Sequence, residues 1–253
     1  MAKMVTVRSI ISLDASKHWL INRMDVHNSF LNGDLLEEVY MHIPEGFCRQ
    51  GETKKGHFDY SLFTKRTNDD IVVVLVYVEN LLITGTNPNQ LNEIRNDLQT
   101  RVKLKDLGEL KFFLGIEFDR SKEGIVMNQR KYAVELIFES GLGGAKPAGT
   151  PLEMNQKLTL AEYDSWMKTN AEDEMLMDPS SFQRLVGRLL YVTMTRPDLS
   201  FAVQILSQFM YYPNVSHMEA ALRMVRYIKA EPRLGLLMLA DNTNKLIAYY
   251  DSE

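Results

Sequence analysis

The sequence predicts an α+β fold in which strands and helices come first and a mainly helical region follows. Two apolar runs rich in β-branched residues, 71–78 and 81–84, flank one polar pair and predict an antiparallel hairpin. Beyond Pro179 the apolar residues recur at the three- and four-residue spacing of a helix. Strands in one part of a chain and helices in another are typical of the α+β class.

Composition and charge limit the class of protein. The chain has 253 residues, of which 45% are apolar and 25% charged, as in ordinary globular proteins. We see neither an apolar run long enough to span a bilayer nor the apolar core of a secretory signal, so the sequence predicts an intracellular protein without a membrane partner. The single cysteine, Cys48, forms no internal disulfide and argues against a zinc site. With a net charge of −4, any nucleic-acid partner must be held by a local basic surface.

The first informative segment is MDVHNSFLNGDL, which begins at Met24. Asp25 follows a short apolar approach and precedes a predicted turn at Asn32, Gly33 and Asp34. A carboxylate in this place is compatible with a metal ligand, and equally with a turn or a helix cap. The polar, aperiodic stretch 49–56 is predicted to be a loop.

The polar pair between the two apolar runs is Glu79 and Asn80. We predict that these two residues form the tip of a two-residue hairpin. Such a tip is often no more than a polar turn, but it is also a place where side chains leave the core and face a ligand. The pattern alone leaves both interpretations open.

The elements after this hairpin follow from their end signals. Asn87 and Pro88 predict the start of a helix, which residues 106–108 are expected to end. Residues 111–118 and 125–127 then predict the two strands of a second hairpin.

The remaining chain is predicted to be helical around one loop. A helix ends at Gly141, and residues 143–178, rich in Gly, Pro, Thr and acid, form the predicted linker or exposed loop. Three helices then begin at Pro179, at Pro197 and at a capping box over 216–219, and a closing hairpin pairs 234–239 with 245–250.

Long motifs in series connect the chain to a known family. In order they are MDVHNSFLNGDLLEEVYMHIPEGF, LVYVENLLITGTN, LKDLGELKFFLGIEF, NQRKYAVELIFESGL, AKPAGTPL, RLVGRLLYVTMTRPDLSFAVQILSQFM and HMEAALRMVRYIKAEPRLGL. Together they closely resemble the reverse transcriptase of copia-type LTR retrotransposons. The likeness covers about nine tenths of the chain in the family's own order, which is far more specific than a lone motif.

The resemblance implies a domain plan. It places an incomplete polymerase palm with a primer-grip hairpin at 1–142 and a linker or exposed loop at 143–178. A helical thumb- or connection-like region is implied at 179–240. The start of a truncated ribonuclease H-like domain is implied at 241–253, where Asp251 looks like its first carboxylate.

The resemblance also implies a metal site with three carboxylates. One falls on Asp25, and two fall on the turn that reads Tyr-x-Asp-Asp in the family and Tyr77-Val78-Glu79-Asn80 here. The family's carboxylates hold two Mg²⁺ ions for nucleotidyl transfer. Glu79 keeps the charge with an added methylene, whereas Asn80 offers only a neutral carbonyl. We therefore expect weakened Mg²⁺ binding and an impaired enzyme.

Other family roles fall on residues that also have ordinary explanations. Phe30 matches the aromatic residue under the sugar of the incoming nucleotide, or it is a core residue. Lys111 lies in LGELKFFLGIEF, which resembles the primer-grip hairpin or is a simple two-stranded ribbon. Arg223, Arg226 and Lys229 recur at helical spacing and either contact phosphates or form a solvated face.

The resemblance also implies that this chain lacks a segment of the polymerase. Between Phe47 and His57 the family has a long stretch of fingers and palm that this chain lacks. The resemblance thus implies a catalytically impaired reverse transcriptase-like protein that acts on an RNA template and a DNA primer. Intact retrotransposon proteins are a further candidate partner. The alternatives are a non-catalytic nucleic-acid-binding remnant and a degenerate reading frame without a selected role.

Overall fold

The computed structural model describes residues 4–26, 61–101, 104–153, 158–159 and 173–241. Phe30, Cys48, Asp251 and the predicted segments 32–34, 49–56 and 245–250 lie outside them. The helices and strands confirm the predicted α+β class. In chain order they are α1 (Met4–Lys17), β1 (Asn22–Val26), β2 (Leu62–Thr67), β3 (Asp70–Tyr77), β4 (Asn80–Gly85), α2 (Pro88–Arg101), β5 (Leu104–Glu109), β6 (Phe112–Phe113), β7 (Ile116–Arg120), β8 (Gly124–Asn128), α3 (Arg130–Glu139), α4 (Pro179–Val192), a 3₁₀ turn (Pro197–Leu199), α5 (Ser200–Ser207), α6 (Val215–Ala230) and β9 (Leu236–Leu239).

The chain divides into two compact units. The first comprises Met1–Lys111, Phe118–Ile125 and Leu237–Glu253, and the second Phe112–Glu117 and Val126–Leu236. Within the described residues, no helix is long and apolar enough to cross a membrane.

The first unit is built on a five-stranded sheet with the order β2-β3-β4-β1-β5. The β-branched run of β3 is buried from Val72 to Leu75, as its composition predicts. On one face, residues of α2 such as Leu91 pack against β-strand residues such as Met24 and Ile83. Thr84 alternates with Ile83 and so faces the other side, where its hydroxyl donates to the carboxylate of Asp14 in α1.

The central hairpin is shifted by one residue from its prediction. Tyr77 pairs with Asn80, so the two-residue tip is Val78 and Glu79, and the predicted tip of Glu79 and Asn80 was wrong. Asn80 belongs to β4 because it also pairs with Asp25 of β1, a tertiary contact that local composition does not encode. Val78 is exposed and has a φ of +53°, a left-handed conformation that is unusual for a β-branched residue.

The predicted break at residues 106–108 is instead part of strand β5. This strand pairs with β1, and the register shifts between the pairs Asn22 with Glu109 and Met24 with Asp106. Gly108, with a φ of +77°, lies in this irregularity. The prediction was wrong because a left-handed glycine can form a bulge inside a strand as well as a turn between elements.

The second hairpin is more finely divided than predicted. Residues 111–118 were expected as one strand, but Leu114 and Gly115, with φ values of +50° and +70°, form a tight turn between β6 and β7. These strands belong to a sheet with the order β6-β7-β8-β9. The predicted partner of 234–239 was 245–250; in the structure β9 neighbours β8.

The second unit has a helical core of α3, α4, α5 and α6. The core includes Phe182, Leu189, Leu206 and Met224, and α3 contributes Leu136 to it. The buried face of α3 thus belongs to this helical core.

The starts of the late helices are capped by side chains. The Asp178 carboxylate accepts from the backbone of Ser180 at 3.0 Å, so α4 begins at Pro179 as predicted. The predicted capping box at 216–219 was wrong, since the box is formed by Asn214 and His217. His217 is fully buried and stacks on Phe209 at 4.0 Å, which holds its ring at the helix start.

Candidate functional site

The candidate site is a row of side chains at one end of the five-stranded sheet. Asp25 of β1 pairs with Asn80 of β4 and with Lys105 of β5. Asn80 in turn pairs with Tyr77 of β3. Directly opposed residues of antiparallel strands project from the same face. The row therefore runs across four strands, in the order Tyr77, Asn80, Asp25 and Lys105.

Arg23 belongs to the same face as this row, because it precedes Asp25 by two residues in strand β1. Its Nε donates to the Oδ1 of Asn80 at 2.9 Å. A guanidinium has only donors, so the atom of Asn80 that faces it must be the carbonyl oxygen. Both side chains are half-buried, where such a charge-assisted hydrogen bond is less screened than on the open surface.

Glu79 is joined to the row through the backbone. Its carbonyl oxygen accepts a hydrogen bond from the backbone of Val26, directly after Asp25, at 2.7 Å. The structure thus brings together the two segments, Asp25 and the Glu79-Asn80 pair, that the family resemblance placed at one site. Phe30 lies outside the described residues.

The side chains described at this row do not fit a two-metal centre. A Mg²⁺ ion takes oxygen ligands in near-octahedral geometry, and one or two carboxylates usually anchor it beside waters and substrate phosphates. Among the residues described, no three His, Cys, Asp or Glu side chains converge so as to hold a metal ion. The Asn80 oxygen, which would be the remaining ligand, faces the positive guanidinium of Arg23. Such an oxygen is poorly available to a cation.

Two of the basic residues predicted on α6 make internal contacts. Arg223 donates to the Glu153 carboxylate at 2.8 Å and to the Thr150 hydroxyl at 3.1 Å. Lys229 donates to the backbone carbonyls of the segment after α3, at Leu142 (3.0 Å), Gly143 (2.6 Å) and Ala145 (2.7 Å). These contacts fasten the start of the predicted linker to α6.

The other two predicted contact residues are placed differently. Arg226 lines a cleft of about 350 Å³ together with Glu153 and Glu219, and its carbonyl accepts from Ala148 at 3.1 Å. Lys111 is exposed, and its carbonyl accepts from Phe118 at 2.9 Å. Neither lies in the row of Asp25.

Removing the Lys229 ammonium should destabilise the second unit. We expect Lys229→Met, which keeps the apolar stem, to lower the free energy of unfolding by about 1 to 2 kcal/mol, because carbonyls at a helix end lose a charged donor. Denaturant unfolding measures the change. The exposed Arg233, changed to Met, is the matched control, and equal effects of the two variants would contradict the assigned role of Lys229.

Neither Arg23 nor Lys105 was predicted to lie beside Asp25. The two-residue period of a strand could have placed Arg23 on the face of Asp25. Lys105 was hidden because residues 106–108 were taken as a break, so no strand was expected beside β1.

Comparisons with known proteins identify similar chains. The family described as reverse transcriptase (RNA-dependent DNA polymerase) matches residues 1–66 and 54–154. The chain is 33% identical, over 284 residues, to the retrovirus-related Pol polyprotein from transposon RE1 of Arabidopsis thaliana, covering 99% of this chain and 19% of that protein.

Two other relatives extend the comparison. The Pol polyprotein from transposon TNT 1-94 of Nicotiana tabacum is 28% identical over 90% of this chain and 20% of its own length. An uncharacterized mitochondrial protein of Arabidopsis thaliana is 33% identical over 71% of this chain and 70% of its own length. The chain therefore spans about a fifth of the Pol polyproteins that it matches. No solved structure matches it.

Proposed function

Because this chain belongs to the reverse transcriptase family of copia-type retrotransposons, we propose that it is a reverse transcriptase-like protein impaired in metal-dependent nucleotidyl transfer. Family membership implies nucleic acid as the substrate and a divalent metal as the cofactor. The observation that carries the proposal is the pairing of Asp25 with Asn80, an amide engaged by Arg23 where the family has a carboxylate.

The row carries too little negative charge to hold two divalent ions. Two-metal transfer stabilises the attacking and leaving oxygens with two divalent ions, which must be held at short, fixed distances. Here the row offers the carboxylate of Asp25 and one neutral amide oxygen that already accepts from a cation, while Glu79 lies in the adjoining turn. We expect this set to bind divalent ions weakly, so that transfer is slow.

The length of the alignment supports a second defect. The match to the RE1 polyprotein extends over 284 residues, more than the 253 of this chain, so the alignment contains stretches that this chain lacks. We propose that the segment missing after Phe47 is one of them. In the family that segment contacts the template and the incoming nucleotide, so its loss would weaken substrate positioning.

Primer extension tests the proposal. The purified chain is given an RNA template with a DNA primer, in Mg²⁺ and separately in Mn²⁺, beside an Asp25→Asn variant that removes the remaining carboxylate of β1. We expect extension by the unmodified chain to be no greater than by the variant. Efficient extension that Asp25→Asn abolishes would refute the impairment.

The alternative function is binding of nucleic acid without catalysis. A salt titration of nucleic-acid binding tests whether basic residues of α6 contribute to it. Because Arg223 is paired with Glu153, we expect Arg223→Ala to leave the slope of log affinity against log salt unchanged. A slope that flattens by about one unit would instead show a lost phosphate contact. Arg226→Ala, one turn further along α6, is the comparison variant.

A further inference from the structure

We propose that Arg23 and Lys105 are built-in counter-cations of the row of Asp25 and that they exclude divalent metal ions from it. The inference deepens the proposed function and rests on it, since it concerns the same site. It explains why Asn80 is accommodated there, and it states what else must change before a metal can bind.

The contact of Arg23 is the first support. Its guanidinium donates to Asn80, with an Nε to Oδ1 distance of 2.9 Å, and so directs a positive charge at that amide. The amide dipole is therefore oriented with its oxygen toward a fixed cation. A metal ion bound to the same oxygen would be repelled by the Arg23 guanidinium at short range.

The position of Lys105 is the second support. It pairs with Asp25 from the side opposite to Asn80, so Asp25 has a cationic residue as its direct cross-strand neighbour on β5. Cross-strand neighbours have Cβ atoms about 4.5 to 5.5 Å apart, which is within reach of a lysine and a carboxylate. Lys105 is exposed, so its ammonium is free to turn toward Asp25.

The positive charges beside Asp25 offset its carboxylate without a metal. Asp25 brings one negative charge to the row, and Arg23 and Lys105 bring two positive charges to the same face. Two charges at such short range interact more strongly at a partly shielded protein site than in bulk water. A divalent ion would be repelled by both cations and would have to compete with them for Asp25.

Arg23 also affects any attempt to rebuild the metal site. In an Asn80→Asp variant the new carboxylate would stand where Arg23 already donates, so the two would form an ion pair. We expect that pair to hold the carboxylate away from a metal. Restoring the acidic residue alone would therefore not restore the site.

Binding of Mn²⁺, followed by electron paramagnetic resonance, tests the proposal. The unmodified chain, Asn80→Asp, and Asn80→Asp combined with Arg23→Gln are titrated with Mn²⁺ alone. We expect the first two to bind alike, and the double variant to bind at least about tenfold more tightly because one repelling charge is gone. Combining Asn80→Asp with Arg66→Gln, which removes an exposed arginine from the other end of the sheet, is the control and should not gain affinity.

A second pair of substitutions tests the proposal if loss of Arg23 unfolds the protein. Lys105→Gln changes an exposed residue, and together with Asn80→Asp it should also tighten Mn²⁺ binding. Melting curves confirm that each variant folds. The proposal is overturned if Asn80→Asp alone gains the full affinity, if neither combination tightens binding, or if the Arg66 control gains as much.

The two tests fail separately. Efficient primer extension by the unmodified chain would refute the impaired function, whatever the variants bind. Equal Mn²⁺ binding by all variants would refute the counter-cation role while the chain remained inactive in extension.

Discussion

Restoring both acidic residues of the turn, with Glu79→Asp and Asn80→Asp, is expected to leave RNA-templated extension at least about a thousandfold below that of a complete copia-type enzyme, because positioning of the reacting groups can contribute about 7 to 11 kcal/mol. We propose that the segment that the family has after Phe47 supplies much of this positioning. In addition, Arg23 donates to position 80 and would pair with the new carboxylate. The substitutions restore the charge of the turn. They neither supply the segment after Phe47 nor remove the contact of Arg23.

Single-turnover extension on a preformed RNA–DNA primer template measures this effect without the influence of turnover. The doubly substituted chain is compared with the same chain carrying Arg23→Gln, and with both after Asp25→Asn. We expect any gain to be small, to be larger without Arg23, and to vanish without Asp25. Extension by the doubly substituted chain at the rate of a complete enzyme would show that the missing segment is dispensable.

Asp14→Asn is expected to make the stability of the first unit less dependent on pH. Asp14 is fully buried in α1 and accepts from the Thr84 hydroxyl at 2.6 Å, while its Oδ2 has no hydrogen-bond partner among the described residues. Burial raises the pKa of Asp14 to about 7, although the Thr84 hydrogen bond and the charge of Arg120 act in the opposite direction.

The sign of the pH effect follows from the two pKa values. The folded chain keeps the proton of Asp14 up to a pKa of about 7, whereas the unfolded chain releases it near 3.8. The stability that this proton contributes is therefore fully present below pH 4 and is lost as the pH rises through 7. The loss is about 4 kcal/mol at most, since one pKa unit corresponds to about 1.4 kcal/mol.

Urea unfolding between pH 4 and 8 measures the change. Asn keeps the shape and can accept from Thr84, but it carries no proton to lose, so the variant should be more stable than the unmodified chain at pH 8 and should approach it at low pH. Asp69→Asn, in the exposed turn between β2 and β3, is the control and should keep the full pH dependence. The assignment fails if Asp14→Asn has the same pH profile as the unmodified chain. The same experiment shows whether the chain unfolds cooperatively, which a degenerate reading frame would not be expected to do.

The sequence predicted those elements whose signals are local. The β-branched run of β3 predicted a buried strand, and Pro88 and Pro179 marked the starts of α2 and α4. Helix α1 was not predicted, because its buried face includes the polar Asp14 and so breaks the apolar period. Strand β5 was not predicted because Gly108 alone indicates a break between elements. Only the pairing with β1 shows that it lies within a strand.

The candidate site also has a part that was predicted from the sequence and a part that was not. The family resemblance led us to expect Asp25 beside the turn of Glu79 and Asn80, and the register of β1 with β4 places them there. The hydrogen bond from Arg23 to Asn80 depends on that register and on the conformations of two side chains, so no local pattern could reveal it. The electrostatic character of the row is thus a product of tertiary structure.

A Mn²⁺ titration of the unmodified chain beside Asp25→Asn measures metal binding without requiring substrate, and so tests whether the chain's own cations keep metal ions from Asp25. We expect the two proteins to bind Mn²⁺ equally weakly, since Lys105 pairs with Asp25 and Arg23 donates to the neighbouring Asn80. A tight Mn²⁺ site in the unmodified chain that disappears in Asp25→Asn would contradict that expectation.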